Sequence, residues 1–235
     1  MARIACFVEK YNFSDPREEN ALQNFKQTAE KLGHEFNFMF RENVAEIPQY
    51  DAVFINKEEF HHKQILEIFR GFGKPVVVKA PYTSFSRYVE KVACETSFRE
   101  VATRFFRKSD VLAVQKFMPT AFDWRVGILN DKVLYVCKYM IPKGRWKHGA
   151  KLRGKPTFIW GRTVALKCEN APAELKDLAL RACSVIGHGL YGVDIKQANC
   201  NYVVVEVNDN PSIYAGYEDL RSKDLYGKII AYLVD

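Results

Sequence analysis

The chain has 235 residues, of which 48% are hydrophobic and 14% aromatic, which is enough apolar material for one compact α/β unit or two small ones and excludes a disordered chain. The 35 basic and 28 acidic residues leave a net charge of +7, which suits an anionic ligand such as a nucleoside triphosphate, a nucleic acid or an acidic peptide. No apolar stretch reaches the roughly 20 residues that span a bilayer, so we expect no transmembrane helix.

The first 56 residues are predicted to form a small α/β lobe of Rossmann-like type. An apolar strand at residues 4–8 precedes a helix at 18–32, where apolar residues recur at helical spacing until Gly33. Two more strands are predicted at residues 35–40 and 51–55. The order β-α-β-β with strongly apolar strands indicates parallel pairing.

From residue 57 onward, strands and amphipathic helices alternate. In chain order the predicted elements are a helix around 60–69, strands at 76–79 and 88–92, a helix at 98–106, strands at 111–117, 123–129 and 133–140, a helix at 172–186, strands at 190–196 and 202–207, and a helix at 225–233. Asn130 and Asp131 form a tight hairpin turn. We therefore predict a lobe at 1–56 and a second domain at 57–235, with α+β subdomains at about 57–118 and about 119–235.

Three oxygen-bearing side chains lie on the last two predicted strands, which form a hairpin. Glu206 and Asn208 share one face because side chains alternate along a strand, and Asp194 of the partner strand can lie opposite them. Two carboxylates on one buried face repel each other unless a cation lies between them. Hard oxygen ligands without His or Cys suit Mg²⁺, with Mn²⁺ as the alternative ion. We predict a magnesium site for a nucleotide here; the alternative is a surface hairpin with ordinary acids.

Two further segments could contact a nucleotide. Lys79 ends a predicted strand before a hydroxyl-rich loop, where its ammonium can reach a phosphate that backbone N–H groups and hydroxyls surround. The predicted loop contacts are Thr83, Ser84, Phe85 and Ser86. Gln115, Lys116 and Phe117 end another strand, whose backbone could be the edge that pairs with a purine. A solvated turn is the alternative for the loop after Lys79.

Arg125 is the candidate for contact with a transferred group. By alternation Asp123 and Arg125 face one side of their strand and Trp124 the other, so Arg125 can meet a phosphoryl or acyl-phosphate group. The alternative is an Asp–Arg surface pair, which contributes little. ATP with two magnesium ions is close to neutral, and the two carboxylates bring the site to about −2, so Lys79, Arg125 and Lys138 would restore the balance.

The histidines and cysteines show no spacing typical of a metal site or a nucleophile. The five histidines are predicted to be surface or core residues, and Ser, Cys and His form no triad pattern. The six cysteines form no C-x-x-C pair, and nothing at the first residues resembles a signal peptide. We therefore expect reduced thiols and a cytoplasmic location.

Five motifs occur in order along the chain and together carry a family signature. They are VVVK at 76–79, QKFMP at 115–119, DWRVG at 123–127, GLYGVD at 189–194 and EVNDNP at 206–211. With these motifs the chain resembles the RimK-like ATP-grasp ligases, most strongly over about residues 74–235. The last two motifs and their spacing are the most specific.

The resemblance implies an α/β ATP-grasp fold whose two α+β subdomains clasp ATP. It implies Mg²⁺ on Asp194, Glu206 and Asn208, phosphates at Lys79 and the loop 83–86, and adenine near residues 115–117. Such enzymes transfer the γ-phosphoryl group to a carboxylate, and an amine then attacks the acyl phosphate to give an amide or peptide bond. The implied catalytic residues are Arg125, which matches the family arginine, and Lys138. The implied partners are small-molecule or peptide carboxylates and amines, without a membrane or nucleic acid.

Three departures from the family pattern leave alternatives open. Lys116 stands where relatives usually have Glu, His188 replaces a usual Asp, and the residues at 212–214 are less polar than in relatives. The segment 55–76 is also compressed, so the chain is either a shortened family member or a sequence that lacks residues. A second hypothesis is therefore a nucleotide-binding relative without ligase activity that has a regulatory or interaction role. A third, a nucleic-acid-binding module, rests on the basic cluster at 143–155 and lacks a recognisable motif.

Overall fold

The computed structural model describes residues 3–8, 13–14, 16–56, 62–80, 88–151, 158–199 and 201–234. The chain divides into two compact units, Met1–Phe117 and Met118–Asp235. Within the described ranges, no helix is long and apolar enough to cross a membrane.

The first unit is built on a six-stranded sheet in the order β2-β1-β3-β6-β4-β5. Its strands are β1 (Arg3–Phe7), β2 (Glu35–Met39), β3 (Ala52–Asn56), β4 (Val76–Lys79), β5 (Val89–Val92) and β6 (Val111–Lys116). Its helices are α1 (Pro16–Lys31), α2 (His62–Phe72) and α3 (Glu95–Phe105), with a 3-10 helix at Arg41–Gln49. β1 pairs in parallel with β2 and β3, whereas β6 pairs antiparallel with β3 and β4.

Local sequence explains the first helix and its end. α1 begins at Pro16, whose fixed φ and missing N–H suit the first helical position. It stops before Gly33, which has φ 76°, a left-handed conformation that favours glycine. The His34 N–H then donates to the Ala29 carbonyl at 3.0 Å, which satisfies one of the carbonyls left open at the helix end.

The core of the first unit lies between its sheet and helices α2 and α3. The rings of Phe69 and Phe98 stack with centroids 5.0 Å apart. Both side chains are fully buried, as are Val76 and Val78 of β4. The β-branched strand residues and the helical aromatics therefore supply the apolar area that holds this unit together.

The second unit is built on a five-stranded antiparallel sheet in the order β11-β8-β7-β12-β13. Its strands are β7 (Phe122–Leu129), β8 (Lys132–Met140), β11 (Thr163–Leu166), β12 (Leu190–Ala198) and β13 (Asn201–Asn208), and a separate pair is formed by β9 (Gly149–Lys151) and β10 (Phe158–Trp160). Its helices are α4 (Ala173–Ser184) and α5 (Leu225–Val234), with short 3-10 helices at Cys168–Asn170 and Asp219–Arg221. Asn130 and Asp131 join β7 to β8 with positive φ values of 45° and 59°, which confirms the predicted turn.

The structure differs from the predicted elements at three places. The connection between the predicted strands at 35–40 and 51–55 contains a 3-10 helix at Arg41–Gln49. No strand is predicted around the basic cluster at 143–155, whereas β9 lies within it and β10 and β11 follow it. β3 and β6 lie on opposite sides of the predicted boundary at residue 56 and pair directly. Short or irregular elements carry too few periodic residues to be recognised from the sequence.

We predict that Phe98→Ala lowers the free energy of unfolding by about 3–5 kcal/mol, because it leaves a cavity beside Phe69. The matched control is Phe25→Ala, since Phe25 is 55% exposed and its removal should change stability by less than about 1 kcal/mol. Urea unfolding followed by circular dichroism measures both variants. Equal losses would show that Phe98 is not part of the core.

Candidate functional site

Three neighbouring strands of the second unit bring the predicted metal ligands and Arg125 to one sheet face. Arg125 of β7 pairs with Asp194 of β12, and Asp194 pairs in turn with Glu206 of β13. Residues directly opposite each other in antiparallel strands share a face. Asn208 lies opposite Gly192 in the same hairpin. A register shift follows Asp194, so the β12–β13 pairing is irregular next to this residue.

The central contact of this face is a bidentate ion pair between Arg125 and Asp194. Arg125 donates from Nε to Oδ1 at 2.6 Å and from Nη2 to Oδ2 at 3.0 Å. The two side chains are only 11% and 21% exposed. Burial alone would lower the pKa of Arg125, but the Asp194 carboxylate outweighs it and the pKa is raised. Arg125 is therefore a permanent cation.

Gly192 makes room for this ion pair. A Cβ at position 192 would lie 2.8 Å from Arg125 Nη1 and 2.7 Å from Pro211 Cβ, closer than such atoms approach one another. Asn208 Nδ2 donates to the Gly192 carbonyl at 3.2 Å and lies 3.4 Å from Asp194 Oδ2. The glycine thus lets Arg125, Asn208 and the segment after Asn208 approach β12 closely.

The face that carries the two carboxylates is less buried than the sequence predicts. Asp194 is half-buried and Glu206 is exposed. Water therefore screens the repulsion between the two carboxylates, and Arg125 neutralises Asp194 within the chain. Electrostatic repulsion does not by itself require a cation here.

A second ion pair on the same face was missed by the sequence analysis. Lys196 Nζ donates to Asp123 Oδ1 at 2.6 Å and to Thr120 Oγ1 at 2.7 Å. The alternative of a surface pair between Asp123 and Arg125 is therefore wrong, because each residue has a different partner on β12. Alternation places Asp194 and Lys196 on one face of their strand, but the sequence does not show which strand lies beside it.

An aromatic group borders Arg125 on the same face. The guanidinium carbon lies 5.2 Å from the ring centroid of Tyr139, whose hydroxyl donates to Glu218 at 2.6 Å. The imidazole of His148 stacks on Tyr139 at 4.5 Å between ring centroids. Burial lowers the pKa of His148, although its ring nitrogen lies near the Met140 carbonyl, so the imidazole is neutral at pH 7. The sequence indicated no role for Tyr139 or Glu218.

Lys138 and Arg125 lie on opposite faces of the second-unit sheet. Lys138 lies opposite Trp124 in the β7–β8 pair, and alternation places it on the other face of the sheet. There its ammonium lies 4.4 Å from the ring centroid of Phe122 and 4.6 Å from that of Trp124. The predicted grouping of Lys138 with Arg125 therefore does not occur within the second unit.

The predicted nucleotide contacts lie in the first unit. Lys79 is half-buried at the end of β4, and Thr83, Ser84, Phe85 and Ser86 lie outside the described residues. Gln115 and Lys116 end β6, which lies between β3 and β4 and is not an edge strand. The N–H groups of Lys116 and Phe117 donate to the carbonyls of Asp51 and Pro75. These two amides therefore already have acceptors within the first unit. They do not form the open strand edge that was predicted to pair with a purine.

The donor set of the second unit fits Mg²⁺ or Mn²⁺. Asp194, Glu206 and Asn208 offer carboxylate and amide oxygens at paired or neighbouring register positions. Among the described residues, no group of three or more His, Cys, Asp or Glu side chains is placed to hold a metal ion. Two carboxylates and one amide match an ion that retains water and phosphate oxygens in its shell.

Comparison with solved structures defines the fold as ATP-grasp. The chain is similar to a D-alanine–D-alanine ligase of Bacillus anthracis, with a TM-score of 0.59 and 13% identity over 100% of this chain and 96% of that one. It is also similar to the D-cycloserine synthetase DcsG, with a TM-score of 0.59 and 9% identity over 99% and 100% of the two chains. The ATP-grasp ligase PsnB, solved with a minimal precursor, gives a TM-score of 0.52 and 15% identity over 100% and 80%.

Residues 39–233 match the RimK-like ATP-grasp domain, and the chain belongs to this family. A probable alpha-L-glutamate ligase of Stutzerimonas stutzeri (strain A1501) is 29% identical over 165 residues, which cover 68% of this chain and 50% of that protein. A protein of the same description from Pseudomonas syringae pv. syringae (strain B728a) is 30% identical over the same shares. The chain thus spans about half the length of these curated relatives.

We predict that Arg125→Met lowers the free energy of unfolding by about 3 kcal/mol, because it leaves the Asp194 carboxylate without its cation in a half-buried place. The control is Arg104→Met, which removes an exposed ion pair with Glu90 and should cost about 1 kcal/mol or less. Urea unfolding measures both. Similar losses for the two variants would show that the Arg125–Asp194 pair contributes no more than a surface pair.

Proposed function

We propose that this chain is an ATP- and Mg²⁺-dependent ligase that joins a carboxylate to an amine through an acyl phosphate. The observation that carries the proposal is the register that sets Arg125, Asp194 and Glu206 side by side, with Asn208 two residues farther along β13. Membership of the RimK-like ATP-grasp family and the ligase names of the curated relatives support it. A cytoplasmic location belongs to the same proposal.

Each residue of the second-unit site has a proposed role. Asp194, Glu206 and Asn208 would hold Mg²⁺, which would neutralise charge on phosphate oxygens when bound. Arg125 places a fixed cation beside these ligands, where it can bind the transferred phosphoryl group and the acyl phosphate. The γ-phosphoryl group passes from ATP to the substrate carboxylate, and ADP leaves. The neutral amine then forms the C–N bond as the bond between the acyl carbon and the phosphate oxygen breaks, phosphate leaves and the amine proton goes to solvent. Positioned charge, rather than proton transfer by a side chain, is what this site supplies.

We propose that the first unit contributes the remaining nucleotide contacts. Lys79 and the segment 83–86 would bind phosphates, and residues 115–117 would contact adenine. The N–H groups of Lys116 and Phe117 donate to Asp51 and Pro75 within the first unit, so these two amides are not assigned to adenine. Lys116 itself donates from Nζ to the Pro48 carbonyl at 3.1 Å, so the replacement of the family Glu leaves a lysine that the first unit holds in place.

The substrate pair is proposed to include an acidic molecule. The chain carries a net charge of +7, and basic residues are concentrated at 143–155. The curated relatives are described as probable alpha-L-glutamate ligases. Glutamate or a glutamate-containing peptide is therefore the first substrate to test, together with small-molecule and peptide amines.

We predict that a non-hydrolysable ATP analogue binds the chain in a magnesium-dependent manner, measured by calorimetric titration with and without Mg²⁺. The double variant Asp194→Asn, Glu206→Gln should weaken this binding at least about tenfold, because it removes both charged metal ligands. The control is Asp131→Asn with Glu169→Gln, two exposed acids of the same unit. Unaltered affinity in the first double variant would reject the metal assignment.

We predict that Arg125→Ala lowers ADP release by about 10²–10³-fold, because it removes a cation aimed at the transferred group. Affinity for the ATP analogue should stay within a few-fold of that of the unmodified chain. ADP release is measured with ATP, Mg²⁺ and glutamate against a panel of amines, and Arg181→Ala on the exposed face of α4 is the control. Nucleotide binding without ADP release by the unmodified chain, across this panel, would favour the inactive nucleotide-binding relative.

A further inference from the structure

Arg125 contacts Asp194, which is a predicted metal ligand, and Tyr139, which is not. Its Nε and Nη2 donate to both oxygens of Asp194, and its guanidinium lies over the ring of Tyr139. A carboxylate that shares its oxygens with a metal ion offers less negative charge to a guanidinium. The contact between Arg125 and Tyr139 does not involve a metal ligand and can persist.

Tyr139 is fixed by three contacts that do not involve Arg125 or Asp194. Its hydroxyl donates to Glu218 at 2.6 Å, and its ring stacks on His148 with an interplanar angle of 20°. On β8 its backbone pairs with Asp123 on one side and Thr163 on the other. The ring therefore has one orientation, set by the sheet and by a hydrogen bond.

Glu218 is buried and accepts hydrogen bonds from uncharged groups. It is 2% exposed and accepts from the Tyr139 hydroxyl and, at 2.8 Å, from the Tyr214 backbone N–H. Within the described ranges of the chain it has no ion-pair partner. A hydrogen bond from a tyrosine to an anion polarises the ring and makes its face more attractive to a cation. Glu218 thus acts on Arg125 through Tyr139.

We propose that Tyr139, held by Glu218, is the positioning residue of Arg125, and that it keeps the guanidinium on the site face when Asp194 binds the metal ion. This inference rests on the proposed metal site. It assigns a role to two residues outside the predicted site, and it gives a reason for the burial of the Glu218 side chain.

The proposal makes the aromatic contact more important after metal binding than before it. Before binding, Asp194 compensates the charge of Arg125, and the ring adds little. With Asp194 engaged by a metal ion, the Tyr139 ring would remain in contact with a poorly hydrated cation, where such contacts are strongest. Removal of the ring should therefore weaken metal binding, and only while residue 125 is an arginine.

The test is a double-mutant cycle on Mn²⁺ affinity, measured from the electron paramagnetic resonance signal of free Mn²⁺ with no nucleotide or substrate present. Tyr139→Leu should weaken Mn²⁺ binding about three- to tenfold in the unmodified chain. In an Arg125→Met background the same change should alter affinity less than about twofold. A purely structural role for Tyr139 would give the same factor in both backgrounds and would overturn the proposal.

Glu218→Gln keeps the shape of the side chain and an acceptor for the Tyr139 hydroxyl, so it provides a second variant if Tyr139→Leu does not fold. It should weaken Mn²⁺ binding about two- to threefold in the unmodified chain and leave the affinity of the Arg125→Met chain unchanged. No effect in the unmodified chain would overturn the role of Glu218.

Phe122→Leu is the matched control, because it removes a ring beneath the Lys138 ammonium on the opposite face of the same strand pair. Its Mn²⁺ affinity should stay within about twofold of that of the unmodified chain. The two proposals fail separately in this experiment. If the unmodified chain binds no Mn²⁺, the metal site itself is rejected; if it binds Mn²⁺ and Tyr139→Leu has no effect, only the positioning role is rejected.

Discussion

The bidentate ion pair between Arg125 and Asp194 is the contact on which the candidate site depends. It joins β7 to β12, neighbours in the sheet that lie 69 residues apart in the chain. Taking both charges out of water is unfavourable, and the pair persists because two aligned hydrogen bonds and the space at Gly192 fix its geometry. A substitution at Arg125, Asp194 or Gly192 disturbs the other two residues. The strand pairing and the chemistry of this face are therefore linked.

Side-chain alternation gives the second-unit sheet one apolar, buried face and one face that carries charged residues. One face of β7 carries Trp124 and Val126, which are buried and belong to the apolar interior. The other face carries Asp123 and Arg125, each neutralised by an opposite charge on β12. Because Asp123 and Arg125 each have a partner on β12, a charged ligand that binds either residue would have to replace that partner. The proposed activity would require such an exchange.

The sequence predicts contacts between consecutive strands much better than contacts between distant ones. The hairpin that pairs Asp194 with Glu206 and the turn at Asn130 and Asp131 follow from period-two alternation and turn chemistry. The partner of Arg125 could not be predicted, because it depends on which strand lies beside β7, and the long connection to β12 carries no signal of that neighbour. Glu218 lies 79 residues from Tyr139 and was missed for the same reason. The position of Lys138, on the opposite sheet face from Arg125, follows from alternation once the register of β7 and β8 is known.

The ion pair that stabilises the second unit also opposes the binding that we propose for Asp194. A tighter Arg125–Asp194 pair would strengthen the sheet and weaken the metal site, so neither property can be optimised alone. Tyr139 and Glu218 reduce this conflict, because they supply a second partner for the guanidinium at a position already fixed by the strand and by a hydrogen bond. The displaced cation then remains on the face where the phosphoryl group is proposed to bind, instead of turning into water. A buried acid on a loop thus serves the site through Tyr139, the residue that it holds.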